Sequence, residues 1–211
     1  MINELASDSQ NADIDVEEFI KFYLALANRN LNHLGKHSEN VQIISAAIAE
    51  NYGIKPPEQQ ILKYGALLHD IGKMFLPAEI LNAGRTLTSV EFEIIKTHTM
   101  FGWNALDFFH GMPTEIKALA MTHHHRNGHG YPKQFIHKID IDTLLVDILT
   151  VADSFAAIME PRVYKRSLNE AQALAVINDP DNDKNAGLNR GVLEVLKYLV
   201  EDKKISLNSF F

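Results

Sequence analysis

The chain is expected to fold as an all-α protein, as a helical bundle, and three observations predict it. Apolar residues recur on a helical period through most of the 211 residues, helix caps and breakers punctuate them, and no segment alternates with the two-residue period of a strand. The length suits one fairly large domain, and 46% hydrophobic residues are enough for a buried core.

Val16 to Asn30 places Val16, Phe19, Ile20, Tyr23, Leu24 and Ala27 on a helical period, after acidic residues that suit a helix N-terminus. A second helix is expected from about Gly35 to Tyr52, with Val41, Ile44, Ile48 and Tyr52 inward and Gly53 ending it. Pro56-Pro57 opens the next element, Glu58 to His69. A turn follows at Gly72, where glycine lets the chain reverse sharply, and Pro77 opens a short helix to Leu81.

After the loop Asn82-Ala83-Gly84, Thr88 and Glu91 form a capping box, and the helix they open is predicted to run to about Phe109. Thr114 to Thr122 follows Pro113 as a shorter helix. The stretch from Asn127 to Pro132 is too rich in glycine to be anything but a loop. Ile141 to Met159 is almost wholly apolar, which implies burial on most sides. Ser167 to Ile177 and Gly191 to Glu201 are the last helices, separated by a polar loop from Asp179 to Asn189. Residues 1–30 are expected to form a polar tail and helix, and residues 31–211 the functional domain.

Composition removes several classes. The formal charge is −7 with no long lysine or arginine block, which disfavours binding to a nucleic-acid polymer. No segment approaches the roughly 20 apolar residues of a membrane helix. Met1 to Asp15 is polar and acidic, so no secretory signal is expected. The absence of cysteine removes disulfides and thiolate metal sites and fits a cytoplasmic protein. Ten histidines are the unusual count, because most fall where a helix end meets a turn.

The most informative stretch is Ala66-Leu67-Leu68-His69-Asp70-Ile71-Gly72-Lys73. An imidazole beside a carboxylate at a buried helix end offers nitrogen and oxygen donors that suit zinc, manganese or iron. The competing reading is a hydrogen-bonded pair that caps the helix. Asp153 favours the metal, because an ionised aspartate in the apolar run Leu149 to Ala157 costs several kcal/mol unless a cation meets it. A buried lysine or arginine, or a hydrogen bond from Ser154, would be the alternative partner. His98 and the run His123-His124-His125 add imidazoles at helix ends. His33 and His37, four apart, share a helical face, a weak signal by itself. His110, His129 and His137 are expected at loops or on the surface.

Taken in order, His37, His69-Asp70, Lys73, His98, His123-His124, Gly130-Tyr131-Pro132, Asp153 and Arg162-Val163-Tyr164-Lys165 resemble the HD-GYP branch of the HD phosphohydrolase superfamily, over about Asn32 to Ala175. The resemblance implies a helical bundle around two or three divalent ions, iron or manganese, and hydrolysis of cyclic di-GMP to linear pGpG or GMP in bacterial signalling. By position it implies metal ligands at His37, His69, Asp70, His98, His123, His124 and Asp153, with His33 in the place of a third-metal ligand. Lys73 would contact the reacting phosphate, and Arg162 and Lys165 would hold substrate phosphates. Tyr131 would pack or donate at the pocket rim. Arg162, Lys165 and Tyr131 also have ordinary readings, as solvated charges at a helix end and a core tyrosine.

The chain departs from the family pattern where His125 replaces a glutamate, where the segment before Gly-Tyr-Pro is one residue short, and where His33 replaces a glutamate. The expected chemistry is attack by a water that bridges two cations about 3.5–4 Å apart. The altered His125 to Gly128 segment motivates an alternative, a catalytically weak effector that binds a cyclic dinucleotide or a signalling partner through the Gly-Tyr-Pro loop. Hydrolysis of another nucleotide is a third reading.

Overall fold

The computed structural model describes residues 15–30, 34–127, 129–133, 139–160 and 168–205. His33, Gly128, His137, Arg162 and Lys165 lie outside them, so the expectations for those residues are neither met nor overturned. Helices dominate the described residues, and the only sheet among them has two strands of two residues each.

Helix α1 spans Val16–Asn30 and buries Ile20, Tyr23 and Ala27, with Val16, Phe19 and Leu24 packed beside them. Helix α2 spans Leu34–Asn51 and buries Val41, Ile44 and Ile48. Tyr52 does not turn inward. The helix stops one residue before it, Gly53 adopts φ +67°, and the tyrosine is left 37% exposed. Helix α3 spans Pro56–Leu68, and a 3-10 turn, Ile71–Phe75, leads to the short helix α4, Ala78–Leu81.

The helix expected from Thr88 to Phe109 is two helices. Thr88 caps α5, Ser89–Lys96, through the capping box with Glu91, and α6, His98–Asp107, follows after Thr97. Thr97 makes the break: its hydroxyl donates to the Ile94 carbonyl at 2.6 Å, and its N–H also reaches back three residues to Ile94. A side chain that takes a helical carbonyl competes with the regular ladder.

Helix α7 is Thr114–Thr122, as expected. Two residues of the glycine-rich stretch, His129 and Gly130, form a strand rather than a loop. Strand β1, His125–Arg126, pairs antiparallel with β2, His129–Gly130, in the register His125 to Gly130 and Arg126 to His129. Two-residue strands are too short for alternation to register in a sequence. Helix α8, Thr143–Met159, is capped by Asp142 and buried on most sides. Helices α9, Glu170–Asn178, and α10, Arg190–Glu201, are capped by Asn169 and Asn189, and a short 3-10 turn, Asp183–Asn185, lies in the polar loop between them.

Two apolar clusters form the interior. One surrounds α8 and includes Ile44, Ile48, Leu62, Leu119, Phe155 and Leu196; the other joins Tyr23, Leu68, Leu106, Ile116 and Ala120. Helices α3 and α7 contribute to both, so their C-terminal ends emerge at the seam between the clusters. Among the described residues, no helix is long and apolar enough to cross a membrane.

Gly72 serves close approach rather than reversal. It does not adopt the left-handed backbone that would require glycine, but a Cβ there would lie 1.8 Å from the His98 carbonyl oxygen and 2.6 Å from the Gly102 nitrogen. The His69–Asp70 turn can therefore lie directly on the start of α6. Gly72→Ala is expected to destabilise the protein by about 1–3 kcal/mol in denaturant unfolding, the usual cost of overpacking. Gly102→Ala meets its neighbours no closer than 3.5 Å and should be neutral or slightly stabilising as a helical Gly→Ala exchange.

Candidate metal centre

Three histidines of the centre are built in the same way. His69 and His123 are the C-cap residues of α3 and α7, and His98 follows the end of α5. The last carbonyls of a helix have no partner within it. The Nδ1–H of His69 donates to the Ala66 carbonyl at 2.8 Å, that of His98 to Ile95 at 2.6 Å, and that of His123 to Ala120 at 3.0 Å. A carbonyl only accepts, so each bond sets the proton on Nδ1 and leaves the Nε2 lone pair directed away from the helix.

Those lone pairs converge. His98 Nε2 lies 3.2 Å from His123 Nε2 and 3.2 Å from Asp70 Oδ1, while His123 Nε2 is 3.6 Å from the same oxygen. His69 Nε2 lies 3.3 Å from Asp70 Oδ2 and 3.9 Å from Asp153 Oδ1. Among the described residues, His69 Nε2 and Asp70 Oδ1 are buried without a hydrogen-bond partner. Buried acceptors that face one another without protons between them repel, and a cation removes the repulsion.

The donors fall into two groups that share Asp70: Asp70 with His98, His123 and His124, and Asp70 with His37 and His69. Within each group one donor atom per residue lies within 4.8 Å of the others. Asp153, on α8, is 3.0 Å from His37 Nε2 and 3.7 Å from His124 Nδ1. All seven residues implied by the resemblance therefore meet at the seam between the apolar clusters. The donor set, imidazole and carboxylate without thiolate, fits a divalent first-row ion.

The electrostatics suit that occupant. Burial raises the pKa of Asp70, but Lys73 and His69 outweigh it and hold the carboxyl well below its ordinary range. Burial likewise opposes the charge on Asp153, where the hydrogen bond from His37 and the neighbouring His124 win. His123 is lowered to about 4, chiefly by burial, and His124 is held well below the usual histidine range by burial and by His123. Both therefore remain neutral donors near neutral pH.

Lys73 ion-pairs with Asp70 and is partly exposed, which leaves its ammonium accessible at the edge of the centre. The Tyr131 ring lies against His124, with centroids 4.6 Å apart. His110 and His129 are exposed and belong to neither donor group.

Glu160 was not anticipated. Its carboxylate accepts from His37 Nδ1 at 2.9 Å and from Asn40 Nδ2 at 3.0 Å, so it orients His37 in the way the carbonyls orient the other three histidines. Burial alone would lower the pKa of His37, but hydrogen bonds to Asp153 and Glu160 push it up to about 10. The available signal was its place seven residues, two helical turns, after Asp153 at the end of an apolar helix. A lone carboxylate there is common as a solvated end group.

A family model described as HD domain matches residues 22–185. A curated relative named cyclic di-GMP phosphodiesterase, from Thermotoga maritima, is 39% identical over 141 residues, covering 64% of this chain and 38% of that protein. The chain thus spans about two fifths of that relative's length. The HD domain of the L. monocytogenes phosphodiesterase PgpH, solved in complex with cyclic-di-AMP, superposes with a TM-score of 0.61 at 18% identity over 90% of this chain and 97% of that one. Bd1817 of Bdellovibrio bacteriovorus, described as an HDG"Y"P protein, gives 0.62 at 21% identity over 90% of this chain and 61% of that one. At these identities the two structures show the shared fold.

Two outcomes are expected at this centre. Glu160→Gln should weaken divalent-metal affinity about 10–100-fold, measured by competition with a fluorescent chelator, as for other residues that orient a metal-binding histidine. In chelator-treated protein, His123 binds its proton less readily folded than unfolded. Stability should therefore fall as the pH drops from 6.5 towards about 4, a limb that flattens in His123→Gln.

Proposed function

This chain belongs to the HD domain family, and from that membership and the geometry of its centre we propose that it is a metal-dependent phosphodiesterase that hydrolyses cyclic di-GMP to linear pGpG, GMP or both. The observation that carries the hydrolytic reading is the sharing of Asp70 by two groups of inward-facing imidazoles, with His69 Nε2 and Asp70 Oδ1 left unpartnered among the described residues. The name of the relative at 39% identity supports the substrate.

In this reading His37, His69, Asp70, His98, His123, His124 and Asp153 would hold two divalent ions, iron or manganese. When bound, such ions supply Lewis acidity and a water acidified towards neutral pH. Only two of the seven ligands are carboxylates, and His123 and His124 add no negative charge, so the centre would stay attractive to a phosphodiester anion. The nearby Lys73 would donate to a phosphoryl oxygen as negative charge grows in the transition state, a contribution of a few kcal/mol from a placed donor. Tyr131 would pack against the substrate at the rim, with Arg162 and Lys165 gripping its phosphates. A third ion would draw on His33. The PgpH complex favours a second reading in which the substrate is a different cyclic dinucleotide.

Protein loaded anaerobically with Mn²⁺ or Fe²⁺ is expected to convert cyclic di-GMP to pGpG or GMP by chromatography. Lys73→Gln should lower kcat about 100-fold or more with metal content retained. Asp70→Asn should lose both metal and turnover. No product from any member of a cyclic dinucleotide panel, at full metal content, would refute the proposal.

A further inference from the structure

Arg126 is a charged residue that none of the roles above uses. It lies on β1, two residues after His124, and its Nη2 donates to Ser154 Oγ at 3.2 Å, next to Asp153. The surrounding backbone is pinned. Thr150, one turn earlier on α8, donates through its hydroxyl to the His123 carbonyl at 2.7 Å, and the Asn127 N–H donates to the Gly187 carbonyl at 3.1 Å.

A guanidinium carries five N–H donors. Among the described residues, the Arg126 side chain has the single hydrogen bond to Ser154 and no carboxylate within ion-pair distance, whereas Arg85, Lys96 and Lys117 pair with Glu91, Glu93 and Asp107. It is also half-buried, within electrostatic reach of Asp153 and Tyr131. Once divalent ions engage Asp153, Arg126 faces like charge, an unfavourable position for a half-buried cation unless an anion joins it. The anion whose oxygens match a planar fork of donors is a phosphate.

We propose that Arg126 is a substrate-binding residue that uses the N–H groups not taken by Ser154 to grip a phosphate of the cyclic dinucleotide. Ser154 is the positioning residue that steadies the guanidinium. This assignment rests on the phosphodiesterase reading for its substrate but not for its phosphate chemistry, so the test separates the two.

The full chain, as wild type, Arg126→Gln and Arg126→Lys, is loaded with Mn²⁺ and compared by elemental analysis, calorimetry with inorganic phosphate, and steady-state kinetics with cyclic di-GMP. Arg126→Gln should keep its metal, bind phosphate about 10–100-fold more weakly, as for loss of a charged hydrogen bond, and raise KM more than it lowers kcat. Arg126→Lys should recover part of the affinity, because an ammonium restores the charge without the fork. Unchanged phosphate affinity in Arg126→Gln, or loss of metal in both variants, overturns the assignment. If the wild type turns over no cyclic di-GMP but phosphate affinity still falls in Arg126→Gln, the substrate reading fails and the Arg126 assignment stands.

Discussion

The centre depends on one buried carboxylate. Asp70 is shielded from water and lies against Lys73, with His69, His98 and His123 turned towards it. A charge in such a place costs several kcal/mol unless its neighbours stabilise it, and the same isolation strengthens its attraction to any cation that arrives. The surrounding helix ends supply imidazoles at fixed positions around this one anion.

That precision comes from the backbone. Histidines at the ends of α3, α5 and α7 each satisfy a carbonyl three residues back, so one hydrogen bond completes the helix, sets the tautomer and aims Nε2. The helices are brought together by apolar packing and by the contact at Gly72, where the absence of a side chain lets one backbone touch the next. The affinity for any metal held here would be coupled to folding, since moving a helix end moves a donor. His37 lies within α2 and has no free helix-end carbonyl to use, so it relies on Glu160 from the far end of α8.

Much of the bundle was legible because its signals are local. Thr88 with Glu91, the proline before α7 and the apolar length of α8 each announce an element within a few residues. Legibility failed where neighbours in space decide. Thr97 breaks a helix whose period continues through it, because its hydroxyl takes the carbonyl the ladder needed. Tyr52 fits the apolar period of α2 yet stays at the surface, because the chain turns away at Gly53. Glu160 and Arg126 were passed over because single charges near helix or strand ends are ordinary in any sequence.

The sequence by itself determined the helical class, most helix positions and the seven residues whose chemistry and order suited a divalent-ion centre. The helices are carried by periodicity and caps, which need no knowledge of distant parts of the chain, while the seven residues were implied as a set by the resemblance of their order to the HD-GYP pattern. Only the tertiary structure decided that Asp70 is shared between two sets of imidazoles, that Glu160 orients His37, and that Arg126 lies beside Ser154 without a carboxylate partner among the described residues. Such facts depend on distances between atoms far apart in the chain, and those distances are set by how the helices pack.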